Sequence, residues 1–223
     1  MSRPKLVIGN KNYSSWSMRA WVLLRSLDID FDEVQLKFHS ERWVREIDRW
    51  SPSRLVPVLW LDGEPVWDTI AIAEVVAERW PDRQVWPRDP RARSVARSIC
   101  AEMHAGFRAL RHSMPMNIRG AYPGCGMNPE VAGDIERLVA IWTMCRDRHG
   151  QDGPLLFGPF SAADAFHAPV AARFVTYGVR LPEGARRYVE AVLALPAVQA
   201  WSAAARAEPE FVAEEEPYAA RRP

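Results

Sequence analysis

The chain lacks what would mark it as disulfide-stapled, metal-bound or membrane-embedded. Only three cysteines occur in its 223 residues, Cys100, Cys125 and Cys145. An odd number with no C-x-x-C pair and no close histidine cluster argues against both a disulfide framework and a structural zinc. No apolar run approaches the roughly 18 to 20 residues that span a bilayer, and MSRPKLVIGN lacks the apolar core of a signal peptide. The expectation is a soluble, cytoplasmic protein. Excess charge of one sign is missing too. With 29 basic and 28 acidic residues spread along the chain, the net charge is +1, so no global field attracts nucleic acid or an anionic membrane. Internal repeats and low-complexity tracts are absent. Apolar residues, in contrast, make up 48% of the chain and include ten tryptophans, ample for a large core.

The stretch Leu55 to Trp80, LVPVLWLDGEPVWDTIAIAEVVAERW, carries the densest local information. Two β-prone runs, Val58 to Leu61 and Glu64 to Trp67, flank Asp62-Gly63, the dipeptide of a tight hairpin. Asp68-Thr69 then precedes Ile70, Ala73, Val76, Ala77 and Trp80, whose spacing predicts an amphipathic helix with a polar cap. A helix start presents unpaired N–H groups and a positive dipole end, so this one is a candidate anion site.

Lys5 to Ile8 reads as a buried first strand closed by Gly9-Asn10. Ser14, Ser15 and Ser17 cluster at the start of a first helix bearing Met18, Trp21, Val22, Leu24 and Leu27, a second helix start able to face a ligand. Phe31 to Phe38 alternates as a strand does, and Arg42 to Trp50 reads as a short, irregular helix. The order is therefore βαβα followed by ββα. Pro81 to Pro90, with three prolines and four charges, reads as a linker.

Beyond the linker, helical periods take over. Val95, Ile99, Met103, Phe107, Leu110 and Met114 predict one seam running more than five turns to Pro115. After a Gly/Pro-rich loop to Asn128, Val131 to Trp142 marks the next helix. In Phe160-Ser161-Ala162-Ala163-Asp164, Ser161 and Asp164 are placed as a capping box opening a buried helix. Pro182 to Leu195 and Pro196 to Ala207 supply two more helices, and Glu208 to Pro223 is expected to be partly frayed.

Three motifs, YSSWSMRAW at Tyr13 to Trp21, the Val56 to Thr69 stretch and FSAADA at Phe160 to Ala165, make the chain resemble the cytosolic glutathione S-transferases. The likeness points to the serine-type classes, zeta and its bacterial relatives above all. It implies an α/β thioredoxin-like domain (βαβαββα) over residues 1–80, a linker over 81–90 and an all-α helical bundle over 91–223. It also implies a homodimer, glutathione as cosubstrate and no metal. By the same resemblance Ser14 stabilises the glutathione thiolate, with Ser15 and Ser17 as alternatives. Pro57 matches a cis-proline that leaves the Val56 backbone to pair with the cysteinyl part. Asp68 and Thr69 match the acidic-Ser pair that holds the γ-glutamyl ammonium and carboxylate.

Two positions depart from the zeta pattern. Trp16 stands where that class has cysteine, which weighs against its isomerase chemistry. Leu55 replaces a polar residue that helps hold the glycyl carboxylate, leaving Arg54 or Arg42 to compensate. The resemblance places a small apolar electrophile between the domains, against Trp16, Met103, His104, Phe107 and Met114. Met103, Phe107 and Met114 also lie on the apolar stripe, which is equally a core pattern; His104 lies off it. The leading expectation is a glutathione transferase. A transferase-fold binding module without strong catalysis, and an isomerase of the maleylacetoacetate type, are the alternatives. Thiol–disulfide exchange is weaker still, with no cysteine at the first helix start.

Overall fold

The computed structural model of the chain describes residues 3–219. Strand β1 (Lys5–Ile8) lies inside a four-stranded sheet of order β2-β1-β3-β4. It pairs in parallel with β2 (Asp32–Gln35), Leu6 opposite Glu33, and antiparallel with β3 (Val58–Leu61), Leu6 opposite Leu59. Strand β4 (Glu64–Val66) closes the sheet as the hairpin partner of β3. Asp62 and Gly63 hold φ of 48° and 94°, the left-handed pair that a two-residue hairpin turn requires. β2 is shorter than the alternation of Phe31 to Phe38 predicts. The chain turns at its end, where Ser40 N–H donates to Lys37 O and His39 adopts φ 59°.

Helix α1 (Ser15–Ser26) is the central element. It packs against α3 (Thr69–Arg79) beside the sheet, and against α7 (Ala162–Thr176) and α9 (Pro196–Ala207) of the second half. Covered by both halves, it buries Met18, Ala20, Val22, Leu23 and Leu24 alike, so it shows no clean polar face. Helix α2 (Glu41–Trp50) is regular, against the irregular helix expected. Ser40 Oγ accepts the Trp43 N–H at 3.1 Å, and Arg42–Glu46 and Arg45–Glu41 pair one turn apart. These local supports offset its low apolar content. Its one buried residue, Ile47, meets Val7, Leu36 and Val58 on the opposite sheet face.

Residues 81–89 form no regular element before α4 (Pro90–Ala105), which Asp89 caps. The single long seam expected there is two helices. At Gly106-Phe107 the chain breaks, Phe107 at φ 58°, and α5 (Arg108–Ser113) follows. The break is satisfied by side chains. Arg111 donates to the carbonyls of Met103 and Gly106, and Asp134 accepts the Leu110 N–H at 2.9 Å. Because Phe107, Leu110 and Met114 stay buried, the apolar spacing runs across the break unchanged and hides it. α6 (Pro129–His149), capped by Asn128, and α8 (Glu183–Leu193) complete the bundle around α7.

Helix α7 is buried along almost its whole length. The expected capping box is formed at its start. The Asp164 carboxylate accepts from the Ser161 N–H at 2.9 Å and its hydroxyl at 3.2 Å. It also accepts the Leu156 N–H at 3.1 Å and the Tyr188 hydroxyl at 3.3 Å, so one carboxylate ties the loop before α7 to α8. Glu208 to Ala219 is packed rather than frayed, including a 3₁₀ turn at Ala213–Glu215. The remainder of that expectation, residues 220–223, lies outside the described residues.

Candidate active site

The turn Asn10 to Ser14 delivers the start of α1 to a cleft of about 340 Å³ between the two halves. Ser14 N–H donates to Asn10 O at 2.8 Å. Its Oγ caps the helix, accepting the Ser17 N–H at 3.3 Å, while its hydroxyl donates to Ser17 Oγ at 2.7 Å. Ser17 is fully buried and its oxygen also accepts the Gly9 N–H. It supports Ser14 from beneath and is not among the residues lining the cleft. Ser14 and Ser15 both line it. The Ser15 hydroxyl has no partner among the described residues and can turn to an acceptor in the cleft, whereas the Ser14 hydroxyl does so only by giving up its bond to Ser17.

Leu55, Val56 and Trp16 line the same cleft as the two serines. The Val56–Pro57 bond is cis, as the resemblance implies, and so is Trp67–Asp68. Leu55 is 69% exposed. Contacts lead from the cleft to the start of α3. The Trp16 ring lies 5.0 Å from that of His104, whose Nε2 is 3.4 Å from Asp68 Oδ2. Asp68 caps α3 through Ile70 N–H. The Thr69 hydroxyl behind it is buried without a hydrogen-bond partner, a costly state unless something else satisfies it.

Several expected site residues are elsewhere. Met103, Phe107 and Met114 are buried in the main core and do not line the cleft, in keeping with the core pattern of the apolar stripe and against their placement as pocket wall. Arg42 is engaged by Glu46 and Arg54 by Asp48 in exposed pairs, and neither arginine is among the residues lining the cleft, although their neighbours Trp43 and Leu55 are. The cleft is lined instead by Arg111, Pro115, Arg173 and Glu215, together with Tyr13, Phe38 and Trp43.

Sequence reasoning missed this arginine cluster. Arg19, within YSSWSMRAW, stacks its guanidinium 4.2 Å over the Trp16 ring, and that of Arg111 lies 5.2 Å from the same ring. Arg19 is buried with Nε and Nη1 unpaired. Arg173, in the otherwise apolar α7, donates to the Met114 carbonyl at 2.8 Å. None of the three has a carboxylate within salt-bridge range among the described residues. Burial and mutual repulsion push Arg19 well below its usual range; burial, then Arg111, brings Arg173 down to about 9. All remain cations at neutral pH. Burial also pushes Glu215 up, against the pull of Arg173. A charged residue inside an all-buried helix was the available signal.

Among the described residues no acidic, histidine or cysteine cluster could hold a metal, and no helix is long and apolar enough to cross a membrane.

Residues 13–79 match the family described as the glutathione S-transferase N-terminal domain, and residues 128–204 the C-terminal domain. Together they take in more than half of the chain. A probable maleylacetoacetate isomerase of Caenorhabditis elegans is 29% identical over 114 residues, 50% of this chain and 52% of that protein. The maleylacetoacetate isomerase of Rattus norvegicus is 26% identical over 49% and 51%. The chain thus spans about half the length of the curated relatives it matches. A glutathione transferase homologue from Burkholderia gl BGR1, solved with bound glutathione, superposes with a TM-score of 0.71 at 25% identity, over 93% of this chain and 100% of that one. With both halves of the fold matched in order, the chain belongs to the glutathione S-transferase family.

Proposed function

We propose that this chain is a glutathione-dependent transferase that uses a serine at the start of α1 to hold the thiol of glutathione as its thiolate. The observation that carries this reading is the cleft of about 340 Å³ whose lining joins Ser14 and Ser15, at the positive end of a buried helix, with Val56. A thiol of free pKa near 8.5 is mostly protonated at neutral pH; a hydroxyl donor and a helix N-terminus both favour the anion. Ser14 is the assigned donor: its hydroxyl rests on Ser17 Oγ, and when Ser17 donates to Ser14 instead of accepting from it, the Ser14 proton is released to the sulfur. Val56 pairs its backbone with the cysteinyl part, and the unpartnered Thr69 hydroxyl takes the γ-glutamyl carboxylate. A homodimer and a cytoplasmic location belong to the same reading. Calorimetric titration with glutathione tests it, and no binding at millimolar concentration would end it. Thr69→Val should weaken that binding about tenfold, since one charge-assisted hydrogen bond is lost.

The cleft wall changes the expected electrophile. An apolar partner gains little beside Arg111 and Arg173, whereas an anion repays their burial. We therefore assign an electrophile bearing a carboxylate, and this favours the isomerase alternative more than Trp16 disfavours it. In that mechanism the thiolate adds to an activated double bond, rotation follows, and expulsion of the thiolate restores the bond. Arg173→Met should raise KM for a carboxylate-bearing electrophile about tenfold, or 1.4 kcal/mol, and leave a neutral one within about twofold. Equal losses with both would return the assignment to an apolar electrophile. Turnover that depends on Ser14 separates all of these from a non-catalytic binding module.

A further inference from the structure

We propose that the C-terminal segment from Glu208 to Tyr218 is a strap that sets the position of Ser14, with Glu208 as its positioning residue. This inference rests on the role given to Ser14 above.

The strap meets the sheet half at the turn leading into Ser14. Glu208, buried, accepts the Lys11 N–H at 2.9 Å and the Asn12 N–H at 3.0 Å, from 197 and 196 residues away. Two consecutive backbone N–H groups aimed at one carboxylate fix the backbone orientation of that turn. Gln35 Nε2 and Lys37 Nζ, each at 2.6 Å, complete the carboxylate's partners, and the lysine supplies the countercharge a buried anion needs. One residue on, the Tyr13 hydroxyl donates to Glu216 at 2.5 Å. Arg119 donates to the Tyr13 oxygen at 2.7 Å and to the carbonyls of Glu208 and Glu210. Further along, Tyr218 donates to the Ser113 carbonyl at 2.8 Å.

A second brace comes from the loop after α5. The Asn12 side chain donates to Asn117 Oδ1 at 2.9 Å and accepts the Arg119 N–H at 2.9 Å. Residues 11–13 are thus held from both sides by the helical half. The Asn10 carbonyl receives the Ser14 N–H, so a shift of the turn is a shift of the helix cap. Apolar contacts alone would suffice to dock a tail. Buried carboxylates, which are costly unless fully partnered, instead specify an orientation, and an oriented hydroxyl is what stabilisation of a thiolate demands.

Four proteins test the strap: wild type, Glu208→Ala, Glu208→Gln and Lys37→Met. Amide hydrogen exchange at residues 11–14 is read without glutathione, and the ultraviolet absorbance of bound glutathione thiolate is titrated with pH. Glu208→Ala should lose protection at Lys11 and Asn12, raise the bound thiol pKa by about one unit and lower kcat about tenfold at neutral pH, with KM for glutathione within about threefold. Glu208→Gln keeps one acceptor and the side-chain shape and should recover part of the shift. Lys37→Met leaves both backbone contacts and should titrate as wild type does, even if it melts earlier. A Glu208→Ala protein that folds, melts earlier and still titrates as wild type overturns the positioning role. So does unchanged exchange at residues 11–14. If wild type binds no thiolate at all, the glutathione reading fails on that readout alone, and exchange at residues 11–14, measured without glutathione, still decides whether Glu208 positions the turn that carries Ser14.

Discussion

Ser14→Ala is expected to lower kcat/KM for glutathione by about 10- to 150-fold at neutral pH, the worth of one hydrogen bond to a charged group. The sign of its pH dependence is fixed by the charge it serves. Ser14 donates to the anion, so removing it raises the pKa of the bound thiol by about one to two units. The rate profile should therefore move to higher pH, and the variant should regain most of its activity once the solution ionises the thiol unaided. Ser15→Ala is the control within the same cleft. Its hydroxyl makes no contact that the cap needs, and a profile near wild type is expected. A Ser15→Ala protein that shifts while Ser14→Ala does not would transfer the role to Ser15.

The largest effect on stability is expected at Asp164. Asp164→Ala strands the buried N–H groups of Leu156 and Ser161 and the hydroxyls of Ser161 and Tyr188. At about 1 to 3 kcal/mol per buried orphan, with partial relaxation, a loss of about 3 to 5 kcal/mol follows. Urea unfolding at pH 7 measures it, and a loss below about 1 kcal/mol would contradict the network. Acid should change this picture in a definite direction. Burial pushes the Asp164 carboxyl up to about 6 despite its hydrogen bonds, so between that value and the ordinary carboxylate range the folded state holds the extra proton. Stability from this group rises as pH falls through that window. Burial brings His167 down to about 4, so from about 6.5 to 4 the unfolded state holds the extra proton and stability falls. The two oppose each other in the wild type. Asp164→Asn removes the first, and its stability should drop on acidification more steeply than that of the wild type.

How far the sequence could be read depended on distance along the chain. The hairpin at Asp62-Gly63, the caps at Asp68 and Ser161 and a serine start to α1 are written within a few residues each, and the structure has all of them, with Ser14 as the cap of α1. α2 was underrated because its supports are two ion pairs and one serine rather than an apolar face. The break at Gly106-Phe107 was invisible because burial continues through it. Most of the cleft wall was out of reach: Arg111, Arg173 and Glu215 meet the serines only through the folded chain. Glu208 reaches Asn12 across nearly the whole length of the protein. Such contacts leave one local trace, a charge where the pattern calls for an apolar residue, and Arg173 in α7 carries it.

Helix α1 presents the candidate serines at one end, and its flanks are the surface on which α3, α7 and α9 all rest. In evolutionary terms the two halves are therefore not interchangeable modules. A helical half transplanted onto this sheet half would have to supply an α7 and α9 that fit this α1, an arginine beside Trp16 and an acid that holds Asn12. A change on α7 that reshapes the cleft therefore also disturbs its packing on α1, which couples what the cleft accepts to how firmly the chain holds together.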